Sequence, residues 1–369
     1  MPHSPHAPSV GRAPVRMTRR GLLRAAALGT LGSGTAASLA GCGPIALGRP
    51  EQYTPPPPGI DDLYRVDLLE ILDRAIAGTD VLLGAADPAA PSSPELAAAL
   101  DALAVALPVQ RTALLTGAQL EDEREAAEDP APGATDDPAP TDAPGDAASL
   151  VGELMALRDL AADASRQVSG SLARPTSAIA AHSEWTARRL TAAAGAGEVT
   201  ASPLAADLRP VREVPTADPP SVGARSDYET TLERTQEDEW HAGYLHEVLA
   251  ARVEGEEREQ HLELAARHRE RAEELGRIAE EDGAPVVARQ AVYAVPGGTL
   301  DEETAGALPT QLAQELLIDH SALVGAAPFE HRLLSIAAAM QEAAFLAPRL
   351  GTMQPLPGIE VEDPPAASG

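Results

Sequence analysis

A single cysteine, Cys42, is the only one in the chain, so no disulfide can form within it. Whatever it folds into must be stabilised by packing alone. The setting of that cysteine, Leu39-Ala40-Gly41-Cys42, reads as the end of a bacterial lipoprotein export signal. Upstream, Arg12, Arg16, Arg19, Arg20 and Arg24 form a positive stretch with no acidic residue before Cys42. Ala25 to Ala40 is weakly apolar, too short and too polar to span a bilayer. Thr18-Arg19-Arg20-Gly21-Leu22-Leu23-Arg24 resembles a twin-arginine translocation motif, with Arg19 and Arg20 as its paired arginines. Residues 1–41 are therefore expected to be a signal peptide removed before Cys42. Lipid on Cys42 would then tether the protein to the outer face of the cytoplasmic membrane. Met17, just before the paired arginines, offers a second start.

The charge limits the partners. The chain carries 56 acidic residues against 28 basic ones, a formal net charge of −28, and five of the arginines leave with the signal. Nucleic acid and anionic head groups repel such a surface, so membrane attachment falls to the lipid and nucleic acid is excluded as a partner. Hydrophobic residues make up 44% of the chain but aromatic ones only 2%, which favours closely packed, alanine-rich helices over sheets.

The pattern along the mature chain predicts an all-α fold. Residues 42–59 form a Pro-rich tether, with Pro55 to Pro58 in extended polyproline form. A first helical domain is expected over 60–195. Its stripes are Leu68, Ile71, Leu72, Ala75 and Ile76, then Leu96, Leu100, Leu103 and Leu107 with Pro108 as a kink or stop, then Leu150, Leu154 and Leu157, and a last helix after Pro175 with Ile179, Ala187 and Leu190. Residues 121–148 are mostly Asp, Glu, Pro, Ala and Gly. They lack large apolar side chains and read as a disordered acidic loop, a place where a basic envelope protein would dock. A Pro- and Gly-rich linker over 196–225 separates this part from a second helical domain over 226–350, and 351–369 reads as a loose tail.

The second domain predicts four helices, near 227–253, 256–281, 301–325 and 329–347, with a long connection between the second and third. Such a connection between two helical hairpins is a feature of four-helix bundles. The helical stripes place Glu239 and His246 inward on the first helix, His261 and His268 on the second, and Glu315 and Asp319 on the third. The fourth stripe offers no ligand: Glu342 points away from the core, His320 and His331 fall off their stripes, and runs such as Glu270-Arg271-Ala272-Glu273-Glu274 read as exposed faces. Folding the first two helices about a turn near 254–256 sets Glu239 level with His268 and His246 near His261. Converging carboxylates and imidazoles suit iron, manganese or zinc, and equally a hydrogen-bonded core network.

The succession Glu239-Trp-His-Ala-Gly-Tyr244, His268-Arg-Glu-Arg-Ala-Glu-Glu-Leu275, Gly283-Ala-Pro285, Tyr293-Ala-Val-Pro296 and Leu323-Val-Gly-Ala-Ala327 resembles a ferritin-like domain family of unknown function from exported actinobacterial proteins. The resemblance implies a ferritin-like four-helix bundle over 226–350 and no particular activity. A di-iron site in such bundles uses Glu-x-x-His pairs, and none occurs in these helices. The preferred reading is a polar core network in a non-enzymatic binding or structural module. The alternative is a metal-binding (Fe, Mn or Zn) or oxidoreductase protein using Glu239, His246, His261, His268, Glu315 and Asp319. No catalytic residue is assigned, and the sequence gives no oligomeric state.

Overall fold

Apolar periodicity of 3.6 residues, with little β-branched or aromatic content, gives helices throughout the computed structural model. It describes residues 57–84, 93–128, 142–214, 221–295 and 297–360. The helices are α1 Ile60–Gly84, α2 Pro94–Leu114, α3 Gly117–Glu128, α4 Ala147–Gln167, α5 Gly170–Ala194, α6 Arg225–Ala250, α7 Gly255–Asp282, α8 Glu302–Ala326 and α9 Leu333–Leu346. A 3₁₀ turn, Phe329–His331, precedes α9. No strand occurs among the described residues. The signal, Cys42 and all but the last few residues of the tether lie outside them.

Local chemistry sets the ends. Asp146 caps α4 by accepting from the Ser149 amide at 2.7 Å, and Asp301 caps α8 through the Thr304 amide at 2.9 Å. Gly283 closes α7 with φ of 65°, a left-handed conformation that favours glycine. Pro108 does not stop α2, which runs on to Leu114, and α5 begins at Gly170 with Pro175 inside it. Pro108 is the fifteenth residue of α2 and Pro175 the sixth of α5, so each gives up one i→i−4 hydrogen bond inside its helix.

Helices α6–α9 carry the four-helix pattern: α6 packs on α7 and α8, and α8 packs on α9. The stretch α1–α5 does not stand apart from them. Helix α5 lies against α4 and α2 on one side and against α8 and α9 on the other. Val324, Ile336 and Met340 share a core with Leu68, Leu103 and Leu154, so the segments read as two domains form one compact unit from Pro57 onward. Small residues allow the approach: a Cβ added to Gly170 would lie 2.4 Å from the Gly325 carbonyl oxygen. Arg332 seals the junction. It is fully buried, donates to the Ala327, Ser165 and Val168 carbonyls at 2.9, 3.1 and 2.7 Å, and lies over the Phe329 ring.

The composition-based boundaries differ from the structure in three places. The acidic stretch 121–148 is partly ordered. Helix α3 covers 117–128, tied to α2 by Arg111 donating to Glu123 at 2.8 Å, and 142–148 leads into the capped start of α4; residues 129–141 lie outside the described set. The described part of the 196–225 stretch that precedes residue 215 is irregular but pinned, because Arg166 donates to the Leu208 carbonyl and Gln167 to that of Arg212, and 215–220 lie outside the described set. In the tail, Leu356 is buried and Gly358 accepts from Arg174 at 2.6 Å. In each place a few hydrogen bonds or one apolar anchor offset ordering entropy that composition alone suggests is unrecovered.

Candidate functional site

The polar heart of the α6–α9 bundle is built around Glu239, which is fully buried on α6. Its Oε2 accepts from His268 Nδ1 on α7 at 2.7 Å. Its Oε1 accepts from His320 Nε2 on α8 at 2.7 Å and from Arg271 Nη1 at 3.2 Å. Arg271 continues to α9, donating to Glu342 at 2.6 Å and Gln341 at 2.7 Å. His320 Nδ1 lies 3.2 Å from Ser335 Oγ, so the second ring nitrogen is engaged as well. All four helices therefore contribute to one network. Burial alone would push the Glu239 carboxyl upward, but the charges of Arg271 and His268 and the hydrogen bonds of both histidines outweigh it and hold the group well below the usual carboxylate range.

A histidine column runs from this network toward the surface. The His246 ring stacks on His268 at 5.4 Å and 7°, and its Nδ1 lies 3.0 Å from Nδ1 of the half-buried His261. Burial, followed by the nearby His268, His261, Arg267 and Arg349, pushes His246 down to about 2, so it is neutral at physiological pH. His261 is also lowered, chiefly by burial, with Glu257 opposing and Arg349 assisting.

On the other side of α8, Asp319 accepts from Arg234 Nε at 3.1 Å, and its Oδ2 is buried without a conventional partner. Burial raises it to about 7, helped by hydrogen bonding and repulsion from Asp238 and opposed by Arg234. A proton on one of these two carboxyl groups converts the repulsion into a hydrogen bond.

The structure thus joins Glu239 with His268 and His246 with His261, while Asp319 faces Arg234 instead of the histidines. Glu315 is exposed, against the expectation that it points inward. Three residues that the helical stripes assigned to solvent are in the network: His320, Glu342 and Arg271 are all buried. The reason is common to them. A single-stripe projection treats each helix as covered on one side, but α8 is covered by α5, α6 and α9, and α9 by α5 and α8. The buried arc widens toward those neighbours and leaves Glu315 outside it. Arg271, about three turns before the Gly283 cap, reaches across to α9 with its long side chain. A signal for this was the spacing Glu239, His268 and Arg271, with the last two one turn apart on α7.

Among the described residues, no three His, Cys, Asp or Glu side chains are arranged to hold a metal ion. Glu239 is spent on its two imidazole donors and the guanidinium. Arg271 also puts a fixed positive charge where a cation would sit. Cys42, Arg19 and Arg20 lie outside the described residues.

Residues 231–361 match a family described as a domain of unknown function (DUF4439). The match covers α6 from its second turn through α9 and the packed tail, and so contains every member of the network. No curated protein and no solved structure matches the chain.

Proposed function

We propose that this chain is an exported lipoprotein, cut before Cys42 and anchored by lipid at the outer face of the cytoplasmic membrane. There its ferritin-like helical region acts as a non-enzymatic binding or structural module. The observation carrying the second half is the closure of the Glu239 network: both carboxylate oxygens are taken by His268, His320 and Arg271 within the buried core. A catalytic carboxylate or a metal ligand needs an oxygen directed at a substrate or an ion, and an interior polar group that is fully bonded instead fixes how helices pack. The Leu39-Ala40-Gly41-Cys42 motif and the basic stretch before it support the anchor.

Metal content tests the module reading. The full chain, folded in the cytoplasm and purified without chelator, is expected to hold iron, manganese and zinc well below one equivalent. Near-stoichiometric metal that disappears in His268→Ala would overturn the reading in favour of a metalloprotein. For the anchor, Cys42→Ser is expected to move the protein from the membrane fraction to the soluble envelope fraction and to remove the lipid mass from Cys42. A wild-type protein without that mass would refute it.

A further inference from the structure

Helix α7 packs chiefly along α6, and the two grip each other unevenly. Toward the base of their hairpin, Ala265, His268, Arg271, Ala272 and Leu275 are buried on α7. At Gly243 the helices cross so closely that an added Cβ would lie 3.4 Å from the Ala265 carbonyl oxygen and 3.1 Å from Arg269 Cγ. Toward the tip the grip fails: every α7 residue from 255 to 264 is exposed or half-buried, Leu262 included. There α6 keeps Leu245 and Leu249 on α8, against Leu308, Leu312 and Leu316. The first turns of α7 can therefore leave α6 without breaking that apolar cluster.

Two side-chain ties cross the tip among the described residues, the half-buried pair Arg269 and Glu247, and the contact of His246 with His261. The second is sensitive to protons by its geometry. The two Nδ1 atoms lie 3.0 Å apart, a hydrogen bond only while one carries its hydrogen and the other presents a lone pair. One added proton is tolerated, since an imidazolium on one side still donates to the lone pair on the other. A second proton leaves two N–H groups and two positive charges face to face.

The surroundings make that second proton costly. Burial disfavours a charged His246 most, followed by His268, His261 and Arg267 on α7 and by Arg349 beyond α9. Glu257, one turn before His261, favours a charge on His261, and Arg349 opposes it. No acidic group offsets these at His246: Glu247 is held by Arg269, Glu239 by His268, His320 and Arg271, Glu315 on α8 is exposed, and Asp319 faces Arg234. A cavity of about 660 Å³ lined by His261, Thr310 and Arg349 brings solvent up to the outer ring. With His246 pushed from its ordinary 6.5 down to about 2, the closed hairpin binds this proton far more weakly than an opened one does. The contribution of the closed pair is thus complete above 6.5 and is lost as pH falls below it.

We propose that the His246–His261 pair is an acid-released latch: a second proton on the facing rings frees the first turns of α7 from α6, while the Glu239 network and the Gly243 crossing hold the rest of the hairpin. The device depends only on the packing of the hairpin, and on neither the lipid anchor nor a bound ligand.

Hydrogen exchange of the full chain, followed by mass spectrometry from about pH 7 to 4.5 and expressed as protection factors so that the chemistry of exchange cancels, tests it. Peptides within 243–264 are expected to lose protection by roughly tenfold per pH unit below about 6.5, one proton being taken up on opening. Helix α5 and the 268–282 part of α7 should keep theirs. His246→Gln, which can still bond His261 but does not titrate, is expected to reduce the change to less than about threefold over the whole range. If that variant is poorly folded by circular dichroism at pH 7, His246→Phe, which keeps a ring on His268, gives the same reading. A tip that stays protected in acid would overturn the proposal. So would a non-titrating variant that opens as the wild type does, which would place the proton on another group. Loss of protection in α5 in step with the tip would overturn it in favour of global acid unfolding, in which the buried His182 takes part.

Discussion

Replacing Gly170 with alanine tests whether the two helical stretches share one core. Gly170 opens α5, and the Cβ it lacks would sit 2.4 Å from the carbonyl oxygen of Gly325 near the end of α8. The obstacle is backbone on a neighbouring helix, so no rotamer change relieves it and α5 and α8 must separate by about an ångström. Overpacking of this kind costs roughly 1–3 kcal/mol. The upper half applies here because Arg332, whose Nη2 lies 3.9 Å from the same Cβ, has no slack to give. A loss of about 2–3 kcal/mol would lower the melting temperature by roughly 4–8 °C in a chain of this size. Gly152→Ala is the matched control: it lies within α4, is exposed, and its Cβ would meet nothing within 4 Å. Helix propensity alone should then stabilise it by roughly 0.5–1 kcal/mol. Thermal unfolding followed by circular dichroism reads both. A Gly170→Ala protein melting at or above wild type would refute the close crossing of α5 and α8, and with it the single unit.

Three further perturbations address the polar interior. Glu239→Gln keeps the shape but removes the charge facing Arg271 and turns an amide N–H₂ toward imidazole donors; urea denaturation is expected to show a loss of about 3 kcal/mol, and a loss under about 1 kcal/mol would mean the network does not hold the core. Arg332→Met leaves the Ser165, Val168 and Ala327 carbonyls without their donor, so about 2–4 kcal/mol should be lost, with faster proteolysis within 160–175 as its readout. For Asp319, raised to about 7 from 3.8, the folded state binds the proton more tightly than the unfolded state does. Its contribution is therefore greatest below the unfolded value and is lost as pH rises through about 7. Asp319→Asn is expected to flatten that part of the stability profile between pH 5 and 8, and an unchanged slope would place the titration elsewhere.

What could be read from the sequence followed a clear physical division. The four helices of the second stretch were legible to within a few residues, because Asp301, Gly283 and the 251–254 turn are end signals that act locally. The pairing of Glu239 with His268 was legible too, since a hairpin register needs only a turn and a rise per residue. The joining of the two stretches was not. It rests on a glycine–glycine crossing and on one buried arginine taking three carbonyls, and neither leaves a periodic trace. His320, Glu342 and Arg271 were missed for a related reason: their burial is decided by a second and third covering helix, and a single-helix projection holds no knowledge of those neighbours.

The composition helps explain why this interior is so polar. With two phenylalanines and two tryptophans in 369 residues, the chain has few aromatic side chains to fill the wider gaps between helices. Alanines bring helix axes close where they meet, as along α9, and longer side chains must span what remains. Arginine is well suited to that task because its stem packs as hydrocarbon while its planar head satisfies several acceptors at once. Arg332 and Arg271 each fill such a gap, the first against carbonyls and the second against carboxylates. Glutamate and histidine then enter the core as the partners of Arg271. On this argument the buried polar cluster follows from building a bundle largely out of alanine.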